Sequence, residues 1–179
     1  MAYTSSQVVQ AVPTGINSAL VLIAKTTLTA ATQHNLLNVF STTYDHYAVR
    51  FSSLVLGNSL NMRYGTSGTP DTASTYSNLG IYLDSGSIQS NTYRFNDSSN
   101  PLLMYNYAGG NNVWLEIQNP FLTQNTYYQT TSMGLSAGSQ VIGNMYNGVK
   151  GTSTSYTDLV LLSSGNISGV ISIYGYVNS

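Results

Sequence analysis

Residues 44–64 read YDHYAVRFSSLVLGNSLNMRY, and this stretch decides the fold class that the sequence predicts. Tyr47, Val49 and Phe51 alternate with small or charged residues, which is the period of two that a β-strand shows. One face of such a strand is apolar and must be covered by other parts of the chain. The stretch therefore predicts a β protein in which one sheet face is buried.

The second half of the stretch repeats this alternation after a Gly-Asn pair. Leu60, Met62 and Tyr64 are separated by polar or charged residues. Gly57 and Asn58 stand between the two alternating runs, and Gly tolerates the positive φ that tight turns need. We therefore predict a β-hairpin that turns at Gly57-Asn58.

The remainder of the chain shows about nine or ten short strands and no convincing helical stripe. Further turns are predicted at Asn147-Gly148 and Gly165-Asn166, because these pairs follow or precede β-prone runs. Many short strands with regular turn signals are typical of antiparallel sandwiches, jelly rolls and barrels. We predict an all-β fold, a single antiparallel β-sandwich of jelly-roll type with an N-terminal arm.

This prediction divides the chain into two segments. Residues 1–35 are expected to form an N-terminal arm or attachment segment with a short apolar strand, and residues 36–179 the β-sandwich domain. The apolar run at 19–24 fits a strand that is buried on both faces or one that lies at a subunit contact. Its six residues are far fewer than the roughly 20 that a membrane-spanning helix needs. We expect no membrane segment and no export signal.

The charge content is unusually low. Only 6% of the residues are charged, against about 25% in typical soluble domains, and the net charge is −1. A β protein with so few charges has little protection on its sheet edges, so we expect those edges to be hidden by closure, by a sandwich or by oligomerisation. The five Lys and Arg residues are scattered, which argues against nucleic-acid binding. Cysteine is absent, so no disulfide or thiolate metal site can form.

Residues with catalytic chemistry show no recognisable arrangement. His34 and His46 lack partners at the spacing of a metal site or a general base. Three acids occur in turn contexts, where Asp caps its own backbone: Asp71, Asp84 and Asp97. A spatial pair such as Glu116 with Asp158 stays open, since glycoside hydrolysis uses two converging carboxylates. We expect no catalytic residue, no metal site and no cofactor, and hence no enzyme.

The single tryptophan is the clearest candidate for a contact with another molecule. Trp114 is out of phase with its apolar neighbours, which are Val113, Leu115 and Ile117. If those residues face the core, Trp114 faces outward, to a neighbouring subunit or to a glycan; a place in the sandwich core is the third alternative. Tyr174 and Tyr176 of the last strand are the other candidate interface or ligand contacts.

Four segments, taken in order, resemble bacteriophage virion proteins with β-sandwich domains, of the kind found in tail fibres and related appendages. They are YDHYAVRF at 44–51, LNMRY at 60–64, WLEIQNP at 114–120 and GVISIYGY at 169–176. The resemblance spans most of residues 36–177.

The resemblance implies a non-enzymatic virion structural protein that works as a homotrimer. The expected role is a fibre or spike subunit of the tail or head, assembled in the host cytoplasm and attached to other virion proteins. A host-surface glycan is a further expected partner. The alternatives are a capsid decoration (cement) protein, a small capsid subunit and a lectin-like carbohydrate-binding module.

Overall fold

The described residues form eleven β-strands that belong to one antiparallel sheet, and they contain no helix. The computed structural model describes residues 20–84, 87–105, 109–135 and 141–177, with side chains for all of these except 84–98 and 109–110. The strands are β1 (Leu20–Leu36), β2 (His46–Leu56), β3 (Leu60–Thr66), β4 (Thr69–Pro70), β5 (Tyr76–Asp84), β6 (Ser87–Ser98), β7 (Leu102–Met104), β8 (Gly109–Gln118), β9 (Thr126–Leu135), β10 (Val141–Lys150) and β11 (Asp158–Tyr176).

The long last strand, β11, organises the sheet. The main path runs β4-β3-β11-β2-β8-β9-β10-β5-β6, while β1 pairs with β11 and β7 pairs with β3. The sheet curls into a half-barrel. The backbone N–H of Tyr64 in β3 donates to the hydroxyl of Tyr76 in β5 at 2.8 Å, which links two distant strands across the curl. The all-β, antiparallel prediction is confirmed; a jelly-roll sandwich is not, because all the described strands lie in one sheet.

The predicted hairpin at Gly57-Asn58 is wrong. Both β2 and β3 pair antiparallel with β11, from Tyr47↔Gly175 through Asn61↔Leu162, so they run in the same direction. The chain bends at Gly57 instead of reversing. The N–H of Gly57 donates to the carbonyl of Asn166 at 2.8 Å.

The glycines at this bend permit close contact between two backbones. A Cβ built on Gly165 would lie 2.6 Å from the carbonyl carbon of Gly57, and one on Gly57 would lie 2.9 Å from the nitrogen of Asn166. The turn predicted at Gly165-Asn166 is therefore also wrong, since both residues lie within β11.

The turn predicted at Asn147-Gly148 is wrong for a related reason. Both residues lie inside β10, where Gly148 pairs with Tyr128 of β9 and Asn78 of β5. A Cβ on Gly148 would collide with the hydroxyl of Tyr128. Glycine is needed here to make room for a buried tyrosine ring.

The core lies on the concave face of the curled sheet, as the alternation predicts. Tyr47, Val49 and Phe51 are buried. The same holds for the β3 set, which is Leu60, Met62 and Tyr64. Strand β9 alternates strictly between buried and exposed positions, which is the pattern of a sheet with one covered face.

Strand β1 belongs to the sheet along its whole length. It pairs with β11 from Leu20↔Tyr176 to Leu36↔Leu159, with three register shifts. Leu20 is 41% and Leu22 is 43% exposed, so this run is not buried on both faces within one chain. The subunit-contact alternative stays a prediction, as does the domain boundary after residue 35; residues 1–19 lie outside the described part.

Candidate functional site

The three candidate contact residues lie on the convex outer face of the sheet. The neighbours of Trp114 in β8 are buried, and the indole itself is half-buried on the opposite face. The predicted outward orientation of Trp114 is confirmed, and the sandwich-core alternative is wrong. Tyr174 and Tyr176 of β11 are likewise partly exposed.

Strand register brings the side chains around Trp114 together. Arg50 of β2 pairs directly with Trp114, and Ala48 pairs with both Glu116 of β8 and Tyr174 of β11. Directly paired residues of antiparallel strands lie on the same face, with Cβ atoms about 5 Å apart. Residues that are distant in sequence thus form one surface, which the sequence pattern alone does not reveal.

Glu116 is the centre of this surface. Its Oε1 accepts hydrogen bonds from the indole Nε1 of Trp114 and, at 2.9 Å, from the hydroxyl of Tyr176. Its Oε2 lies 2.9 Å from Nε2 of His46, a salt bridge when the imidazole is protonated. The guanidinium of Arg50 lies over the indole, 4.6 Å from its centroid. We call His46, Arg50, Trp114, Glu116 and Tyr176 the aromatic cluster.

The members of the aromatic cluster contact one another closely. The rings of His46 and Tyr176 stack with centroids 4.3 Å apart. Burial, together with the hydrogen bond to Glu116 and its negative charge, raises the pKa of Tyr176 to about 12, so this phenol remains a donor at neutral pH. Glu116 is held by Trp114 and Tyr176 through Oε1 and faces His46 through Oε2, so the cluster presents partly exposed aromatic surface around one carboxylate.

The structure does not bring Glu116 and Asp158 together, so the pair of converging carboxylates that the sequence left possible does not form. Asp158 is buried at the start of β11, where its carboxylate accepts hydrogen bonds from the N–H of Asn38 at 2.9 Å and the N–H of Gly68 at 2.6 Å. Thr157 donates its hydroxyl at 2.8 Å. Burial alone would raise the pKa of Asp158, but these donors hold it below its ordinary value. The role of Asp158 is to hold two loops.

A second polar cluster, not predicted from the sequence, joins β10 to the loop after β4. Lys150 has no exposed side-chain surface; its Nζ lies 3.1 Å from Oδ2 of Asp71 and donates to the carbonyl of Ala73 at 3.0 Å. The ammonium also stands 4.1 Å from the ring centroid of Tyr76. Tyr156 donates its hydroxyl to the same Asp71 oxygen at 2.7 Å.

Burial and ion pairing shift the pKa values of Lys150 and Asp71 in opposite directions. Burial lowers the pKa of Lys150, and Asp71 only partly compensates. Burial would raise the pKa of Asp71, but hydrogen bonds from Tyr156, Ala73 and Lys150 lower it overall. The predicted turn-capping role of Asp71 is confirmed, because its Oδ1 accepts the N–H of Ala73 at 2.8 Å. The turn position predicted for Asp97 is wrong, since this residue lies within β6, and Asp84 is the last residue of β5; the side chains of both lie outside the described part.

The outer face also carries an exposed apolar surface on β5, β9 and β10. In register, Ile81 pairs with Met145, and Val141 pairs with Leu135. Seven side chains that are 43% to 59% exposed form what we call the apolar patch: Leu79, Ile81, Leu83, Met133, Leu135, Val141 and Met145. The aromatic cluster lies beside it, since Trp114 pairs with Thr131 of β9.

No group of three or more His, Asp or Glu side chains in the described residues is arranged to hold a metal ion. His34 directs Nε2 to the carbonyl of Ile167 at 3.1 Å, a structural contact. No helix in the described part is long and apolar enough to span a membrane.

Comparison with known proteins returned no match: no family model, no curated protein and no solved structure is similar to this chain.

Proposed function

We propose that this chain is a non-enzymatic structural subunit of a bacteriophage particle that works as a homo-oligomer, a trimeric fibre or spike of the tail or head. The observation that carries the proposal is the open sheet. Among the described strands, the long β1 pairs only with β11 and β6 only with β5, and the short β4 and β7 pair only with β3, so the half-barrel has open edges.

The β1 edge is poorly protected against pairing with another chain. Exposed edges are normally blunted by charges, prolines or bulges. Strand β1 has 17 residues, with Lys25 as its single Lys or Arg, no acid and no proline; its register shifts are the main protection. A chain with this edge and 6% charged residues fits an assembled state better than a solitary one.

The phage assignment rests on the order of the four segments that resemble virion proteins. The same proposal includes attachment through residues 1–35, contact with other virion proteins, assembly in the host cytoplasm and a jelly-roll arrangement of the sandwich. A capsid decoration protein is the nearest variant of this function, because it too is a symmetric subunit without catalysis.

Electron microscopy of the purified full chain tests the proposal. We expect uniform particles of a few copies with an elongated or three-lobed outline. Closed shells would indicate a capsid subunit instead. Featureless particles of single-chain size, at concentrations in the tens of micromolar, would contradict the proposal.

The aromatic cluster favours a second candidate function, a lectin-like carbohydrate-binding module. Trp114 and Tyr176 offer partly exposed aromatic surface, and aromatic side chains with one polar end are suited to mixed polar and apolar partners. A glycan array probed with the wild-type chain tests this candidate. Binding that Trp114→Ala abolishes and Tyr127→Ala preserves would support it, because Tyr127 is an exposed aromatic residue on the same face outside the cluster; an array without binding would exclude the glycans tested.

A further inference from the structure

The apolar patch is too large and too continuous to be a scatter of single exposed residues. Its members occupy alternate positions on three adjacent strands, so they form one surface. One row contains Ile81 and Met145, and the next contains Leu83 and Met133 on either side of Gly143. Contiguous apolar surfaces of this kind on soluble proteins mark interaction sites.

The patch contains no charge. The outward positions of the three strands are 77, 79, 81 and 83 in β5, the odd positions 127–135 in β9 and the odd positions 141–149 in β10. None of them is Asp, Glu, Lys, Arg or His. A partner that is selected by electrostatic complementarity would need charges here, and a small ligand would need a concave site, whereas this is the convex side of the sheet.

We propose that the apolar patch is buried against further copies of this chain, around the rotation axis of the homo-oligomer. The inference rests on the proposed function, since it requires self-assembly. Residues near a rotation axis meet their own symmetry mates. A charged side chain there would face a like charge, so an uncharged apolar surface is the composition that such an axis requires.

The size of the patch agrees with the core of such an interface. The outer face of these three strands, about 4.8 Å apart and about 33 Å long, covers roughly 450 Å². A stable interface buries about 800 Å² on each partner; β8 and the end of β2 that pairs with Trp114 extend the same face toward this size, while the opposite end of β2, with Val55, stays outside it. Trp114 then lies within the interface, beside Thr131, and is of the residue type that dominates binding energy at interfaces.

Substitutions to glutamate test the inference by sedimentation velocity. Ile81→Glu and Met133→Glu each place a carboxylate in the patch, and we expect each to weaken self-association on the order of 100-fold, because a buried unpaired carboxylate is costly. Val55→Glu is the matched control: Val55 is an exposed apolar residue of β2, 64% accessible, outside the patch. It should leave self-association unchanged.

Disulfide crosslinking of single-cysteine variants provides a second test that does not depend on whether the glutamate variants fold. The chain has no cysteine, so one introduced thiol reports on a single position. Met145→Cys should form interchain disulfides under mild oxidation, and Val55→Cys should not.

Two results would overturn the inference, and one of them would also overturn the proposed function. A wild-type chain that remains monomeric overturns both the inference and the proposed function. A wild-type oligomer that survives Ile81→Glu and Met133→Glu, with no crosslinking through Met145→Cys, overturns the inference alone.

Discussion

Asp158 shows how one buried carboxylate holds separate loops in place. It accepts backbone N–H groups from Asn38 and Gly68, at 2.9 and 2.6 Å. Asn38 and Gly68 both have positive φ, and Asp158 holds this unusual backbone in place from the start of the longest strand. Satisfying buried N–H groups matters because each one left unpaired costs about 1–3 kcal/mol.

We predict that acid destabilises the protein through Asp158. Because its pKa in the folded chain lies below the ordinary 3.8, its contribution is fully present above about pH 5 and is lost as the pH falls through the folded pKa. Urea unfolding at several pH values should show a falling free energy of unfolding in this range. Asp158→Asn should be less stable at neutral pH and show a shallower acid decline; an unchanged slope would contradict this assignment.

A second prediction concerns the buried Lys150. Asp71→Asn removes the counter-charge of an ammonium that has no exposed surface, and we expect a loss of about 2–3 kcal/mol, at the lower end of buried-pair losses because Asp71 is 22% exposed. Urea unfolding at pH 7 measures it.

The control for this prediction is a variant that removes both members of the ion pair. The double variant Asp71→Asn/Lys150→Met removes both charges and should be more stable than Asp71→Asn alone, because no uncompensated charge is then buried. Thr72→Ala, at an exposed neighbouring position, should change stability by less than about 0.5 kcal/mol. An Asp71→Asn variant as stable as Thr72→Ala would show that the ion pair contributes little.

At the residue scale, the sequence correctly predicted features that depend on local alternation or on turn chemistry. It placed Trp114 on the outer face and assigned Asp71 to a turn. It did not find Lys150 as the partner of Asp71, or Glu116 as the partner of Tyr176, because these contacts depend on which strands pair and in which register. A lysine at the end of a β-prone run carries no local sign of burial.

The bend between β2 and β3 is the element on which sequence and structure differ most. A Gly-Asn pair between two alternating runs predicts a hairpin, but here both runs pair with the same long strand. Gly57 has a different use, which is close approach to the backbone at Gly165. Glycine signals either a turn or a close approach, and only the pairing partner distinguishes the two.

We predict that Gly165→Ala is severely destabilising. Its Cβ would lie 2.6 Å from the backbone of Gly57, and moving these backbones apart would disturb the hydrogen bond from the N–H of Gly57 to the carbonyl of Asn166. We expect a loss of about 3 kcal/mol, the upper part of the range for overpacked sites. Thermal unfolding of the purified variant measures it.

The matched control is Gly151→Ala, directly after β10 and outside the apolar patch. The nearest atom to its Cβ is the carbonyl oxygen of Thr75 at 3.5 Å, an ordinary contact. Alanine there should be neutral or stabilise by up to about 1 kcal/mol, because it restricts the unfolded chain. Equal effects of the two substitutions would contradict the close approach at the bend.

At the scale of the whole molecule, the open half-barrel is the reason for proposing that this chain with few charges works with partners. Its concave face is covered by its own apolar side chains, whereas the edge strands and the apolar patch on the convex face are not covered by the described residues. Composition predicted the need to hide sheet edges. It did not distinguish a closed sandwich from an open curled sheet, because that depends on long-range pairing by β11.

The mass of the full-length chain in solution tests the central claim most directly. Light scattering coupled to size exclusion at tens of micromolar should give a homo-oligomer, and the trimer corresponds to three times 19.2 kDa, about 58 kDa. A mass of 19.2 kDa that persists as the concentration is raised would contradict the account.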